Sequence, residues 1–197
     1  MQIIRLKYTL PVCGVMANPW HDVSYGEEAP DVIRAIIEVP KDSKLKYELD
    51  KETGLLKLDR ALYSAVYYPG DYGFIPQTYW EDGDPMDILV ISNIPVYPMT
   101  IVTVRPIGVL EMQDEKERDD KIIAVYSTDP RFKDIQTLSD LPEHIILEIE
   151  HFFKTYKELQ NKKVKILSRK EVDDAREFIK EAIDMYEHHF MGKKKKK

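Results

Sequence analysis

The chain has a single cysteine, Cys13, so no disulfide can form within it, and a reducing cytoplasm is the compartment that suits it. It has no run of about eighteen apolar residues, which excludes a membrane-spanning helix. The apolar residues of the first stretch are interrupted by Arg5, Lys7 and Pro11, which speaks against a signal peptide. Histidines at metal-ligand spacing with a third partner are also missing, so His21, His144, His188 and His189 are read as structural or solvated. No Ser, Cys or His arrangement competes for a nucleophile role. Positive charge is outnumbered by negative. Lys and Arg number 29, five of them the lysines at 193–197, so the body carries 24 against 35 Asp and Glu, a net −11. An acidic body argues against nucleic acid as the main ligand and suits a protein that gathers cations.

What remains is the composition of a soluble globular protein, 43% apolar and 32% charged over 197 residues, enough for one domain with a substantial core. Its centre of interest is Glu81-Asp82-Gly83-Asp84-Pro85-Met86-Asp87, which runs into the apolar stretch Ile88-Leu89-Val90-Ile91. Gly83 and Pro85 favour a bend. A bend can aim Asp82, Asp84 and Asp87 at one point, where a straight strand would send Asp84 and Asp87 to opposite faces. Carboxylates held so close either raise one another's pKa or recruit a cation. An all-oxygen set suits Mg²⁺ or Mn²⁺. A solvated turn is the plain alternative. A calcium loop of the EF-hand type is excluded, because its sixth and twelfth positions would be Asp87 and Asn93 where Gly and Glu are needed.

Alternation predicts strands at 32–39, 43–50 and 55–60, the last two joined by a hairpin turn at Lys51-Glu52-Thr53-Gly54. In the second of these, Lys46 and Glu48 point the same way. Further short strands are expected at 66–68, 73–75, 86–92, 101–110 and 122–126. Two helices follow. The first has Pro142 in its opening turn and a stripe of Ile145, Ile149, Phe152, Phe153, Tyr156 and Leu159. The second opens on the capping-box pattern Ser168-Arg169-Lys170-Glu171, with a stripe of Val172, Ala175, Ile179, Ala182, Ile183 and Tyr186. The expected fold is mainly β with α, an α+β chain: a small closed five-stranded, OB-like antiparallel barrel with extra short strands and two C-terminal helices packed outside. Residues 1–30 read as an N-terminal arm, 31–192 as a single domain and 193–197 as a disordered lysine tail.

A second acidic cluster, Asp114-Glu115-Lys116-Glu117-Arg118-Asp119-Asp120-Lys121, reads on its own as a solvated hairpin tip. Beside the first it completes a pattern. The chain resembles the soluble, Mg²⁺-dependent, barrel-type inorganic pyrophosphatases (family I). Asp82-Gly83-Asp84-Pro85-Met86-Asp87 fits that family's signature. Ile37-Glu38-Val39-Pro40, Lys46-Tyr47-Glu48, Asp59-Arg60, Tyr68-Pro69-Gly70-Asp71-Tyr72-Gly73, the 114–121 cluster and His151-Phe152-Phe153 with Tyr156-Lys157 follow in the family's order. The resemblance covers about residues 30–160, and Pro19-Trp20-His21-Asp22 is similar to the plant members.

The resemblance implies hydrolysis of pyrophosphate, bound as its metal complex, to two phosphates by direct attack of a metal-activated water. It implies that Asp82, Asp87 and Asp119 hold the ions flanking that water, Asp87 bridging them. Asp114 and Asp119 are to hold the ion that arrives with substrate, and Glu48 a further one. Asp84 becomes the general base, a role open to so weak a base only beside metals that acidify the water. Lys46, Arg60, Lys121, Tyr156 and Lys157 are to grip phosphoryl oxygens, while Tyr68 and Tyr72 orient the nucleophile side or nearby phosphate. Glu38 either lines the site or buttresses Arg60, and Asp120 stands in support of the cluster. Asp71 receives no role. A homo-oligomer is implied, a hexamer by preference, with no nucleic-acid or membrane partner. The competing reading is a non-catalytic barrel module that binds nucleic acid or metal-phosphate ligands.

Overall fold

The computed structural model describes residues 17–115 and 117–192. The expectations for Cys13, for the first half of the arm and for the lysine tail fall outside them. In chain order the elements are α1 (Pro19–Asp22), β1 (Ile33–Val39), β2 (Leu45–Leu49), β3 (Leu56–Ala61), β4 (Asp71–Phe74), β5 (Asp87–Ile91) and β6 (Thr100–Asp114). Then come β7 (Glu117–Arg118), β8 (Lys121–Tyr126), α2 (Glu143–Thr155), β9 (Val164–Glu171) and α3 (Val172–Met191).

Five strands close a ring in the order β1-β4-β5-β8-β6 and back to β1, as the alternating stretches led one to expect. The ring is mixed where a wholly antiparallel one was expected. β5 and β8 run parallel, Asp87 facing Lys121 and Ile91 facing Val125. The cause is β6, which carries the chain away and returns it only through the short β7 hairpin. β6 is 15 residues long, and its two halves pair with different neighbours. Residues 100–104 pair with β1, and residues 108–114 pair with β9. β2 and β3 form a separate two-stranded ribbon, with Lys46 opposite Arg60.

The two long helices each cover a part of the core. α2 lays Ile146, Ile149, Phe152 and Phe153 against Leu110, Met112, Leu89 and Ile123. α3 lays Ala175, Phe178, Ile179 and Ala182 against Ile33, Ala35, Val104 and Ile122. β4 lies so close to β1 that a Cβ on Gly73 would sit 1.9 Å from the Ile36 carbonyl oxygen, so only glycine fits.

Three local expectations are corrected. Residues 66–68 form no strand, although Tyr68 is buried. Leu159 faces solvent, because α2 ends at Thr155 and the chain turns away. The residues taken for a helix opening at 168–171 belong to β9 instead. Their polar groups find tertiary partners: the Ser168 hydroxyl donates to Glu111, and the Glu171 carboxylate accepts from the Leu138 N–H (3.0 Å) and the Ser139 hydroxyl (2.6 Å). With both ends of the capping box engaged elsewhere, the helix begins at Val172. Asp71, to which no role was assigned, is fully buried. It accepts from the Lys41 and Val96 N–H groups and from the hydroxyls of Ser92 (2.8 Å) and Tyr126 (2.7 Å), tying four segments together.

Candidate active site

The acidic turn is built by its own backbone. The Gly83 N–H donates to the Trp80 carbonyl (3.0 Å), the Trp80 N–H to the Asp84 carbonyl (2.8 Å), and the Asp84 N–H to the Asp82 carboxylate (3.1 Å). Gly83 takes φ +85°, a left-handed conformation that glycine adopts without strain. The turn delivers Asp87 as the first residue of β5. Across the parallel pair stands Lys121, 1% exposed, whose ammonium bonds both Asp87 and Asp119. From β4 the Tyr72 hydroxyl donates to Asp87 (2.6 Å). At the end of β6, Asp114 pairs with Lys157, just past α2.

These groups line one cavity of about 1050 Å³. Asp82, Asp84 and Asp87 come from the turn, and Asp114 and Asp119 from the hairpin at the far end of β6. β2 contributes Lys46 and Glu48, paired with each other (2.5 Å). Glu38, Tyr72, Lys121, Tyr156 and Lys157 line the cavity as well. Segments about thirty residues apart in the chain thus share one space, because β5 and β8 are neighbours in the ring.

Burial, then the Asp87 charge, pushes the Asp82 carboxyl up to about 7, and burial, with the Asp119 charge adding to it, likewise pushes Asp87 upward. Burial also acts on Asp119, but the Lys121 ammonium overcomes it and holds that carboxyl below the usual range. Burial opposes the charge on Lys121, yet Asp119 and Asp87 keep it firmly protonated. Burial holds the Tyr72 and Tyr156 hydroxyls protonated, so both remain donors. Glu38 is pushed up to about 8 by burial while its carboxylate accepts the Leu49 N–H (2.6 Å).

The donor set fits a hard divalent ion. It is all oxygen, it crowds like charges, and Asp114 Oδ1 is buried with no hydrogen-bond partner among the described residues. Among those residues no three acidic side chains already form an ion cage. Lys121, Lys157, Lys46 and Lys51 each pair with one or two of the carboxylates.

The family profile described as inorganic pyrophosphatase matches residues 35–187. A soluble inorganic pyrophosphatase of Chlamydomonas reinhardtii is 45% identical over 181 residues, 92% of this chain and 94% of that one. One from Arabidopsis thaliana is 46% identical over 187 residues, 95% and 87% of the two chains.

The chain belongs to the inorganic pyrophosphatase family.

Its fold agrees. The crystal structure of the Thermus thermophilus inorganic pyrophosphatase superposes with a TM-score of 0.84 at 45% identity, over 87% of this chain and 99% of that one.

Not every expected residue reaches the cavity. Arg60 is not among its walls; its guanidinium pairs with Asp59, which also lies 3.5 Å from Lys46. Tyr68 is 1% exposed and packs on Tyr72 and Phe152 instead of facing the space. Asp120 is buried beside it, accepting from the Met112 N–H (3.1 Å), the Trp80 indole (3.2 Å) and Arg118 (2.9 Å), so it braces the hairpin. Glu38 lines the cavity. Trp20, Lys51, Glu115, Glu117 and Lys162 also line it and were not anticipated. Glu115 and Glu117 were legible as part of the second acidic cluster, whereas a lysine at a hairpin tip and a tryptophan in an irregular arm carry no local sign of such a place.

Proposed function

We propose that this chain is an inorganic diphosphatase that hydrolyses pyrophosphate, taken up as its metal complex, to two phosphates by direct attack of water. The single observation that supports this best is the convergence of the 82–87 turn and the 114–121 hairpin on one cavity whose lining includes Lys46, Lys121 and Lys157. Asp82, Asp87, Asp114, Asp119 and Glu48 would hold several Mg²⁺ ions (Mn²⁺ as a substitute), which supply charge neutralisation of the phosphates and lower the pKa of water. Asp84 takes the proton from the attacking water. Tyr72, fixed by its bond to Asp87, orients the nucleophile side. Lys46, Lys121, Lys157 and the Tyr156 hydroxyl grip the phosphoryl oxygens as charge develops on them. Arg60 joins them by leaving Asp59, and Tyr68 holds Tyr72 and Phe152 in place. Glu38 and Asp120 support from the wall and from beneath the hairpin.

Residues 31–192 act as one pyrophosphatase domain with 1–30 as an arm, working in the cytoplasm. Among the described residues no helix is long and apolar enough to cross a membrane. The functional form is a homo-oligomer, a hexamer by family resemblance. α2 supports this, leaving Leu147 exposed beside Tyr67, His144 and His151. Phosphate release from pyrophosphate in the presence of Mg²⁺ tests the reading. Turnover is expected, and a purified, folded protein that releases no phosphate would refute it and favour the binding module.

A further inference from the structure

The arm reaches the acidic turn by a route the mechanism does not use. Asn18 caps α1, its side-chain oxygen accepting the Trp20 N–H (3.0 Å), and donates its amide to the Lys51 carbonyl (3.1 Å) at the tip of the β2–β3 hairpin. Trp20 is 4% exposed, and its indole N–H donates to the Thr78 carbonyl (2.8 Å). The Gln77 N–H donates to the Trp20 carbonyl (2.8 Å), and the Gln77 amide to the His21 carbonyl (2.9 Å). Two residues of α1 therefore grip the backbone that leads into the turn. From the other side the Tyr79 N–H donates to the Ala182 carbonyl of α3 (2.9 Å), and its ring stacks on His189 (4.5 Å).

Lys51 crosses the gap between these parts. Its ammonium lies 5.3 Å from the centre of the Trp20 ring, 3.4 Å from the Gly83 carbonyl oxygen, and in an ion pair with Asp84. Trp20, Lys51 and Asp84 all line the cavity.

We propose that Lys51, held over Trp20 by the arm, is a positioning residue that fixes the Asp84 carboxylate for its work. This rests on Asp84 being the group that takes the proton from water. Half-exposed ion pairs add little to stability, so the pair has small value as a staple. Its geometric value is larger. A lysine anchored on an aromatic face and on a carbonyl has few places to put its charge, and a carboxylate paired with it is confined in turn. Misplacing a reacting group by about an ångström is enough to lose orders of magnitude in rate.

Steady-state kinetics of Lys51→Met, Trp20→Leu and Trp20→Phe, alone and with Asp84→Asn, test this. Lys51→Met is expected to lower kcat about tenfold and leave KM within twofold. Trp20→Leu should lower kcat in the same way, and Trp20→Phe, which restores an aromatic face, should recover most of it. In the Asp84→Asn background Lys51→Met should cost nothing further. Wild-type kcat in Lys51→Met overturns the proposal. So does a raised KM at unchanged kcat, which would make Lys51 a substrate ligand, or an undiminished loss on top of Asp84→Asn. Lys51 is half-exposed, so its variant keeps the test open where Trp20→Leu fails to fold. A collapse of Asp84→Asn with an unaffected Lys51→Met would refute this positioning alone. Full turnover in Asp84→Asn would refute the role of Asp84 and the positioning with it.

Discussion

Asp84→Asn is expected to lower kcat for pyrophosphate about 100- to 10,000-fold, with KM changed by only a few-fold. Asn has the shape of Asp and cannot take a proton. The turn itself should survive, because Asp84 contributes to it only through its N–H and its carbonyl. The side chain is half-exposed, so stability should stay within about 0.5 kcal/mol of the parent. Asp82, Asp87, Asp114 and Asp119 are untouched, so cation affinity should hold. Steady-state phosphate release across Mg²⁺ concentrations measures all of this. A kcat within threefold of the parent would remove Asp84 from the role of base and leave the turn as a cation site only.

Lys121→Met should destabilise the protein by about 3–5 kcal/mol in chelator, the cost of leaving a buried charge without its partner. The ammonium is almost fully buried and bonds both Asp119 and Asp87, the residue that faces Lys121 across the β5–β8 pair. The sign of the pH dependence follows. In the variant both carboxyls would hold protons more tightly folded than unfolded. Stability would then fall as pH rises through the carboxylate range, and the penalty would be smallest in acid. Mg²⁺ should return a large part of the loss, since a bound cation again neutralises the pair; at a hundred times its Kd a ligand adds about 2.7 kcal/mol. Urea unfolding midpoints with chelator and with Mg²⁺ provide the readings. A loss under about 1 kcal/mol in chelator, or one that Mg²⁺ leaves unchanged, would contradict this picture of Asp87 and Asp119 as a buried charge pair that needs a positive partner.

Much of the site could be read from residue order because its groups come in short, dense motifs. Asp82 to Asp87 lie in one turn whose Gly83 and Pro85 announce the bend. Lys46 and Glu48 lie on one face of a strand whose alternation is plain. The ring of strands followed from alternation too. Its parallel pair did not, because alternation says nothing about which strands meet, and only the return of the chain through β7 sets β8 beside β5. β9 was hidden by the capping-box spelling of residues 168–171, a local signal that lost to Glu111 and Ser139 in three dimensions. Phe178 fell outside the stripe read for α3, yet it is buried against Trp80. Asp71 looked like one more loop carboxylate, and the four hydrogen bonds to its buried side chain come from partners scattered over 86 residues, Lys41 to Tyr126. The link from Trp20 through Lys51 to Asp84 is of the same kind. Each residue is unremarkable alone, and the contact exists only once the arm is laid across the turn.

The central claim is that the 82–87 turn and the 114–121 hairpin share their cations across one cavity. It is tested most directly by the Mg²⁺ dependence of phosphate release in Asp82→Asn, Asp119→Asn and the double variant. If the ions are shared, each single variant raises the half-saturating Mg²⁺ concentration, and the double variant raises it by less than the product of the two. Independent, multiplying effects, or a half-saturation left at the parent value by either single variant, would mean that the two acidic segments do not act on common ions.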